Sequence, residues 1–365
     1  MGTASIIWFW YEYCVENLIQ PRSDTPLTGV NMKTILFRMF IASILVGSAY
    51  SQNLLNNPES VVYDPARDRH LVSNYGNGNI IEIAADGQQS IFSNMLYGHA
   101  VVGIYLRDDL LYVATNNGEL AGITVFDVAS GDLADHIEVN YEGLLNDITF
   151  DSTGNLYVSD YWDDRVYKIN VTTHQVALFA GPGLNNPNGI TYDAVRDRIL
   201  ILGAAGANGP VWSGDPQTGE ISLAAYSGLY GMDGIVIDPD QRIYISQWST
   251  DCVFRFDLDF SEPGDPVSCG HVDPADIFLD PLHYLLAVPN FSANTVDFVQ
   301  MEPLPSCELP GDISEDGTVD ILDVVQAVNC ILLGTDDCYC GDLNGDDIIN
   351  VQDIILIVTI IMGIG

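Results

Sequence analysis

Oxygen-bearing side chains recur in this chain at two kinds of spacing, and both suit a hard divalent cation. Near the C-terminus, GDISEDGTVDILDVVQAVNCILLG is followed about thirty residues on by GDLNGDDIINVQDIILIVTIIMG. Each copy places oxygens at the first, third, fifth, ninth and twelfth positions of a loop: Asp312, Ser314, Asp316, Asp320 and Asp323, then Asp342, Asn344, Asp346, Asn350 and Asp353. Backbone carbonyls at the seventh position, Thr318 and Ile348, complete a set that wraps calcium, which takes about six to eight oxygens at flexible distances. The sixth position, where such a loop turns sharply, is Gly317 in one copy and Asp347 in the other, and Asp tolerates left-handed backbone better than most residues. The second set is dispersed. Glu59, Asn146, Asn188 and Asp233 each open a short apolar run, and Asp276 follows Ala275 at the start of another. If those runs share an axis, two carboxylates and two amides converge on it, a ring fit for calcium or magnesium with positions left for water and substrate.

The elements that must position this ring are strands. Six units repeat through the body of the chain: ESVVYDPARDRHLVSNY, VVGIYLRDDLLYVATNN, NDITFDSTGNLYVSDYW, NGITYDAVRDRILILGA, DGIVIDPDQRIYISQW and ADIFLDPLHYLLAVPNF. Each alternates apolar and polar residues at period two and is broken by Asp, Gly, Asn or Pro turns. Third strands follow as RVYKINV, CVFRFDL and TVDFVQM. A unit of roughly 40 residues with three or four short strands cannot bury both faces alone, so it stacks radially on its neighbours. The expectation is a mainly β chain, a six-bladed β-propeller over residues 53–302. Innermost strands begin at the central channel, which points Glu59, an apolar residue around Val101, Asn146, Asn188, Asp233 and Ala275 towards the axis near one mouth. The aromatic corners Tyr75, Tyr161, Trp162, Trp248 and Phe291 follow the second strands and either rim that mouth or pack between blades. His99 and His271, just before the second and sixth blades, are expected as loop residues. After a linker at 303–310, residues 311–365 form a small all-α calcium-binding domain, with helices from Val324 to Leu333 and from Ile354 to Met362 too apolar to stand in solvent.

The units resemble the blades of the NHL-type and senescence-marker/gluconolactonase propeller superfamily, NDITFDSTGNLYVSDYWDDRVYKIN above all, and the similarity spans the body of the chain. In the gluconolactonase family a divalent ion is held by a Glu on the first blade, Asn residues opening later blades and an Asp on the blade after them. Glu59 matches in PESVVYD, Asn146 in LNDITFD, Asn188 in PNGITYD and Asp233 in MDGIVID. The resemblance implies metal-dependent hydrolysis of a lactone or small ester, with Glu59, Asn188 and Asp233 on the ion, Asp233 as base and Asn146 against the substrate. The basic residue that the family often sets beside Asn146 is absent, and Leu144 and Leu145 stand there instead. The alternative is a non-catalytic propeller that binds carbohydrate or protein at the same mouth, because blade motifs specify fold better than activity. A glycan lyase is a third, narrower reading. The tail is similar to a type I dockerin, since no helix precedes either loop and the twelfth position is Asp rather than Glu. That similarity implies two calcium ions and a cohesin-like scaffold in a polysaccharide-degrading assembly. At the tenth and eleventh loop positions, where dockerins commonly carry small hydroxyl residues, Ile321, Leu322, Val351 and Gln352 stand; they would suit a divergent cohesin or pack against the propeller.

Composition narrows the partners. Among 365 residues, 50 are acidic and 12 basic, a formal charge of −38 that repels nucleic acid and anionic lipid and attracts divalent cations. From Met32, MKTILFRMFIASILVGSAYSQ has the basic start, apolar run and small-residue cut of a secretory signal over residues 32–51, cleaved near Ser51 and Gln52. This predicts a monomer exported to the extracellular space or periplasm with no membrane attachment, and makes residues 1–31 an over-extended gene start or, alternatively, an anchor. Of the seven cysteines, six follow the cut, which suits an oxidising compartment: one disulfide between Cys252 and Cys269, and two among Cys307, Cys330, Cys338 and Cys340. Zinc is disfavoured because the tail has no histidine. The glycosylation-type sites at Asn170 and Asn290 are expected to be chance. No GxSxG elbow, phosphate loop or HExxH helix is present.

Overall fold

In the structure, a computed structural model, residues 52–141, 143–303, 307, 309–333, 338–344 and 349–363 are described. The signal segment, the stretch before it, Asp346 and Ile348 lie outside those residues. The described body consists of six antiparallel sheets, five of four strands and one of three, each a meander in which consecutive strands pair. The blades occupy residues 58–93, 100–138, 145–180, 187–226, 232–269 and 278–300. The expected six-bladed propeller is therefore present, and the third strands fall at Arg165–Asn170, Cys252–Phe256 and Thr295–Gln300.

Apolar residues on the strands pack between blades rather than within them. Six buried clusters result, one at each blade interface: Leu71, Val101 and Phe126 between blades 1 and 2, Ile123, Leu145 and Leu156 between 2 and 3, Tyr157, Ile190 and Ile199 between 3 and 4. The ring continues with Leu202, Met232 and Ile245, then Tyr244, Ile277 and Leu286, and closes with Val61, Val72 and Ala287 between blades 6 and 1. Each large aliphatic so buried stabilises the ring by about 1.5–3 kcal/mol relative to exposure. The Asp276 N–H donates to the Glu59 carbonyl at 2.9 Å across the same closure.

Every innermost strand of blades 1 to 5 carries a bulge at the same place. Pro58 pairs with Asn74 but Val61 with Val72, and the same extra residue appears after Val101, Leu145, Pro187 and Met232. Two successive residues then oppose one on the neighbouring strand, which re-aims both. At the far end of these strands a buried Asp pairs with an Arg across the turn, Asp64 with Arg69 at 3.0 Å, Asp193 with Arg198 at 2.8 Å and Asp238 with Arg242 at 2.6 Å. These three arginines are thus held at the end of the strands away from the bulges.

All three disulfides fall within the expected groups: Cys252–Cys269 in blade 5, then Cys307–Cys340 and Cys330–Cys338 in the tail. The tail helices are α1 (Ile321–Leu333) and α2 (Val351–Ile361), each starting three residues earlier than the apolar run alone suggested. The start of α2 is set by Asn350, whose side chain accepts the Gln352 N–H in a capping box with Asp353. A small core of Ile313, Ala327, Cys330 and Ile357 joins the helices. Much of their apolar surface nevertheless stays exposed, contrary to expectation, with Ile321 at 65%, Leu332 at 73% and Ile355 at 59%. Among the described residues no helix is long and apolar enough to cross a membrane.

Candidate functional site

The bulges build the site. Their first residues are Glu59, Val102, Asn146, Asn188 and Asp233, with Ala275 at the matching place in blade 6; the second are Ser60, Gly103, Asp147, Gly189, Gly234 and Asp276. Glu59, Val102, Asn146, Asn188 and Asp233 line one cavity of about 270 Å³. Asp147 and Asp276 face a second cavity, about 520 Å³, reached from the other mouth. The apolar position on blade 2 is accordingly Val102, not Val101, which is buried in the interface between blades 1 and 2.

Close packing at the axis explains the glycines. A Cβ on Gly189 would sit 2.3 Å from the Asp233 carbonyl oxygen, one on Gly103 2.3 Å from that of Asn146, and one on Gly234 2.7 Å from the Asp276 Cα. In blades 1, 3 and 5 a serine on the second strand braces the bulge. The hydroxyls of Ser73, Ser159 and Ser246 accept the N–H of Ser60, Asp147 and Gly234 and donate to the carbonyls of Val102, Asn188 and Ala275 on the next blade. The second-position residues knit further: Ser60 donates to Asp276 at 2.6 Å, and Asp147 accepts from the Ile190 N–H at 2.7 Å.

Against this well-bonded background four oxygens stand out. Among the described residues Glu59 Oε2, Asn146 Oδ1, Asn188 Oδ1 and Asp233 Oδ1 are buried with no hydrogen-bond partner, and these four, unlike the other two such oxygens, Asn79 Oδ1 and Asp160 Oδ2, line the same small cavity. The Asn188 Nδ2 donates to the Met232 carbonyl at 3.3 Å, which commits its oxygen to the cavity. Unpartnered buried oxygens are costly, and two of these belong to carboxyl groups with, among the described residues, no Lys, Arg or His on the cavity wall. Burial, then the charges of Asp233, Asp276 and Asp147, push the Glu59 carboxyl well above its ordinary range. Burial and the Asp276 charge push Asp233 up to about 8. Burial likewise raises Asp276 to about 7, while burial and the Asp276 charge raise Asp147. Protons or a cation must neutralise this set.

All of the expected channel residues, Glu59, Asn146, Asn188 and Asp233, are thus brought together. The five aromatic corners also line the cavity. Phe291 joins Tyr75 and Trp248 with ring centroids 5.7 Å and 5.4 Å apart, and Tyr161 meets Trp162 edge-on at 4.6 Å. Neither histidine takes part: His99 bonds the Asn117 carbonyl, and His271 sits between Asp297 and Ser268. Asp147 escaped the sequence reading because strand alternation assigns only one of two adjacent residues to the axis. Its signal was the second bulge position, held elsewhere by Gly, Ser or Asp.

The first tail loop closes on its own carboxylates. Asp312 accepts the N–H groups of Asp316 and Gly317, Asp316 those of Thr318, and Asp320 that of Leu322. Asp323, fully buried, accepts from Ser314 and Asp320. Gly317 has φ 85°, as its sixth position required. In the second copy Asp353 accepts from Leu343, Asn344 and Asn350. Asp342 and Asn344 are described, whereas Asp346 and Ile348 are not. Among the described residues no three His, Cys, Asp or Glu side chains converge as a metal-binding group, in the tail or elsewhere; the channel set is two carboxylates and two amides.

The SMP-30/Gluconolactonase/LRE-like region matches residues 57–263, more than half of the chain. The chain belongs to this family. Its fold is also similar to that of a structural genomics protein of unknown function from Bacteroides thetaiotaomicron VPI-5482, at 16% identity and TM-score 0.54, covering 66% of this chain and 68% of that one. A chain of a nidogen/laminin complex has 15% identity and TM-score 0.50 over 62% of this chain and 91% of its own. Virginiamycin B lyase from Staphylococcus aureus has 13% identity and TM-score 0.50, with 67% and 85% covered. These likenesses bear on the fold alone. A search of curated proteins finds no match.

Proposed function

We propose that the mouth cavity is a divalent-cation site serving the hydrolysis of a lactone or small ester. The observation that carries this is the convergence of four unpartnered oxygens, from Glu59, Asn146, Asn188 and Asp233, on one cavity. Hard oxygen donors without thiolate or imidazole suit calcium or magnesium, with Glu59, Asn188 and Asp233 as ligands. Such an ion, when bound, polarises an ester carbonyl and lowers the pKa of a nearby water. The chain's own residues supply the rest. Asp233 takes the proton of the attacking water at a carboxylate oxygen. Asn146 presents its amide to the substrate, and the aromatic rim holds the substrate's body and limits water.

The test is lactone hydrolysis by the purified protein with and without calcium, alongside Asp233→Ala and Glu59→Gln. Asp233→Ala should reduce kcat/KM by at least about 100-fold, on the order expected for losing a general base, and Glu59→Gln should reduce it by loss of a carboxylate ligand. Activity surviving both would remove these residues from the site, and no turnover of any lactone would favour a binding propeller.

For the tail we infer a calcium-dependent attachment module of the dockerin type on an exported protein. Support comes from the duplicated loops, the sharp turn at Gly317, the three disulfides and the exposed apolar residues Ile321, Leu322 and Ile355. A cohesin-like scaffold is the partner this reading proposes. Calcium titration of the full chain should lose one site each with Asp312→Ala and Asp342→Ala; unchanged stoichiometry in both would remove calcium from the tail.

A further inference from the structure

The walls of the mouth cavity say what kind of substrate body it accepts. Apart from the four oxygen-bearing residues, its inner wall is Val102, Leu144 and Met232, and its outer wall Trp162, Trp248 and Phe291. The phenols of Tyr75 and Tyr161 and the indole N–H groups of Trp162 and Trp248 are the remaining polar groups, and among the described residues no Ser, Thr, Gln, Lys, Arg or His lines it. Selecting a polyhydroxylated ring takes several donors and acceptors aimed at its hydroxyls, and selecting a carboxylate takes a cation. Among the described residues this wall has no cationic side chain, and the polar groups it adds to the four oxygens all sit on the aromatic rings of the rim.

Leu144 is fixed where it stands. Its N–H donates to the buried Asp160 carboxylate at 2.7 Å, and its carbonyl accepts from the Tyr161 N–H at 2.8 Å. The apolar side chain beside Asn146 is therefore held by the backbone of the cavity's own rim. Trp162 is 67% exposed and Trp248 37% exposed at the opening. Large rings left to water around a concave site mark a surface that an apolar ligand covers.

We propose that the site selects lactones bearing an apolar substituent, alkyl or aryl, over sugar lactones and over lactones carrying a carboxylate; this rests on the lactonase reading for the reacting end. The lactone ring faces the four oxygens and the substituent runs over Leu144 between Trp162 and Trp248.

The experiment compares kcat/KM for γ-lactones with methyl to hexyl substituents against gluconolactone, in calcium. Each methylene should raise kcat/KM about threefold to fourfold while it enters the cavity, and gluconolactone should fall below every alkyl lactone. Leu144→Asn and Trp162→Ala should each cut the gain per methylene to twofold or less. In parallel, tryptophan fluorescence follows binding of the matching alkyl lactams, which resist hydrolysis. If lactams bind with the same gain per methylene but no lactone is turned over, the catalytic reading fails and the apolar preference stands. A flat chain-length series in both assays, a preference for gluconolactone, or no lactam binding overturns it.

Discussion

Replacing Asp233 by Asn should stabilise the cation-free protein, and the gain should grow with pH. The Asp233 carboxyl is buried beside Asp276, which raises it from near 3.8 to about 8 in the folded chain. An acid whose folded pKa lies above its unfolded one keeps its proton longer in the folded state. Stability is then full below the unfolded value and falls as pH climbs towards the folded value. One carboxyl contributes a slope of about 1.4 kcal/mol per pH unit inside that window. Asn is nearly isosteric with the protonated acid and does not titrate. Asp276 is retained by both proteins, whereas Glu59 and Asp147, which the Asp233 charge also raises, are eased in the variant and add to its advantage. Between pH 5 and pH 7 the advantage of Asp233→Asn should widen by about 2–3 kcal/mol, roughly 5–10 °C in Tm for a domain of this size. The assay is urea and thermal unfolding of both proteins in chelator at the two pH values, repeated in calcium. Calcium should flatten the wild-type profile by taking the place of the protons, and do so less in the variant. A difference between the proteins that stays constant within about 0.5 kcal/mol from pH 5 to pH 7 would refute the buried-carboxyl account.

Three further outcomes follow from the same geometry. Gly189→Ala puts a Cβ 2.3 Å from the Asp233 carbonyl oxygen, a backbone atom that cannot swing away; a loss of about 1–3 kcal/mol in urea unfolding is expected, and a neutral result would mean the inner strands are looser than described. Ser159→Ala removes the hydroxyl that accepts from Asp147 N–H and donates to the Asn188 carbonyl; it should cost about 1–3 kcal/mol and weaken calcium binding at the mouth, both readable by calorimetry. Chelating calcium should lower the helical circular dichroism of the full chain, and Asp323→Ala should reproduce that loss in calcium, since Asp323 closes the first loop through Ser314 and Asp320.

The strand pattern carried most of the architecture. Period-two alternation in units such as NDITFD and NLYVSD, broken by Asp and Gly turns, requires sheets, and six such units of similar length require a closed ring. The disulfide grouping was legible because cysteines close in sequence have few partners. Helix starts in the tail were misplaced by three residues, because a cap is set by Asn350 bonding Gln352 and Asp353 rather than by where the apolar run begins. The apolar faces of α1 and α2 look like core from composition, but only the folded tail shows how many of their residues remain uncovered.

For the site, sequence alone determined which residues open each blade, because the first polar residue before an apolar strand is visible at any sequence separation. Glu59, Asn146, Asn188 and Asp233 were found that way. Only the tertiary structure decided that the place on blade 2 is Val102, and that Asp147 and Asp276 join the channel from its other side. The physical reason is the bulge: one inserted residue breaks the alternation, turns two neighbours towards the axis, and leaves no trace in hydrophobic periodicity. Unpartnered oxygens, likewise, are a property of what six distant strands bring near one another, which no stretch of sequence contains.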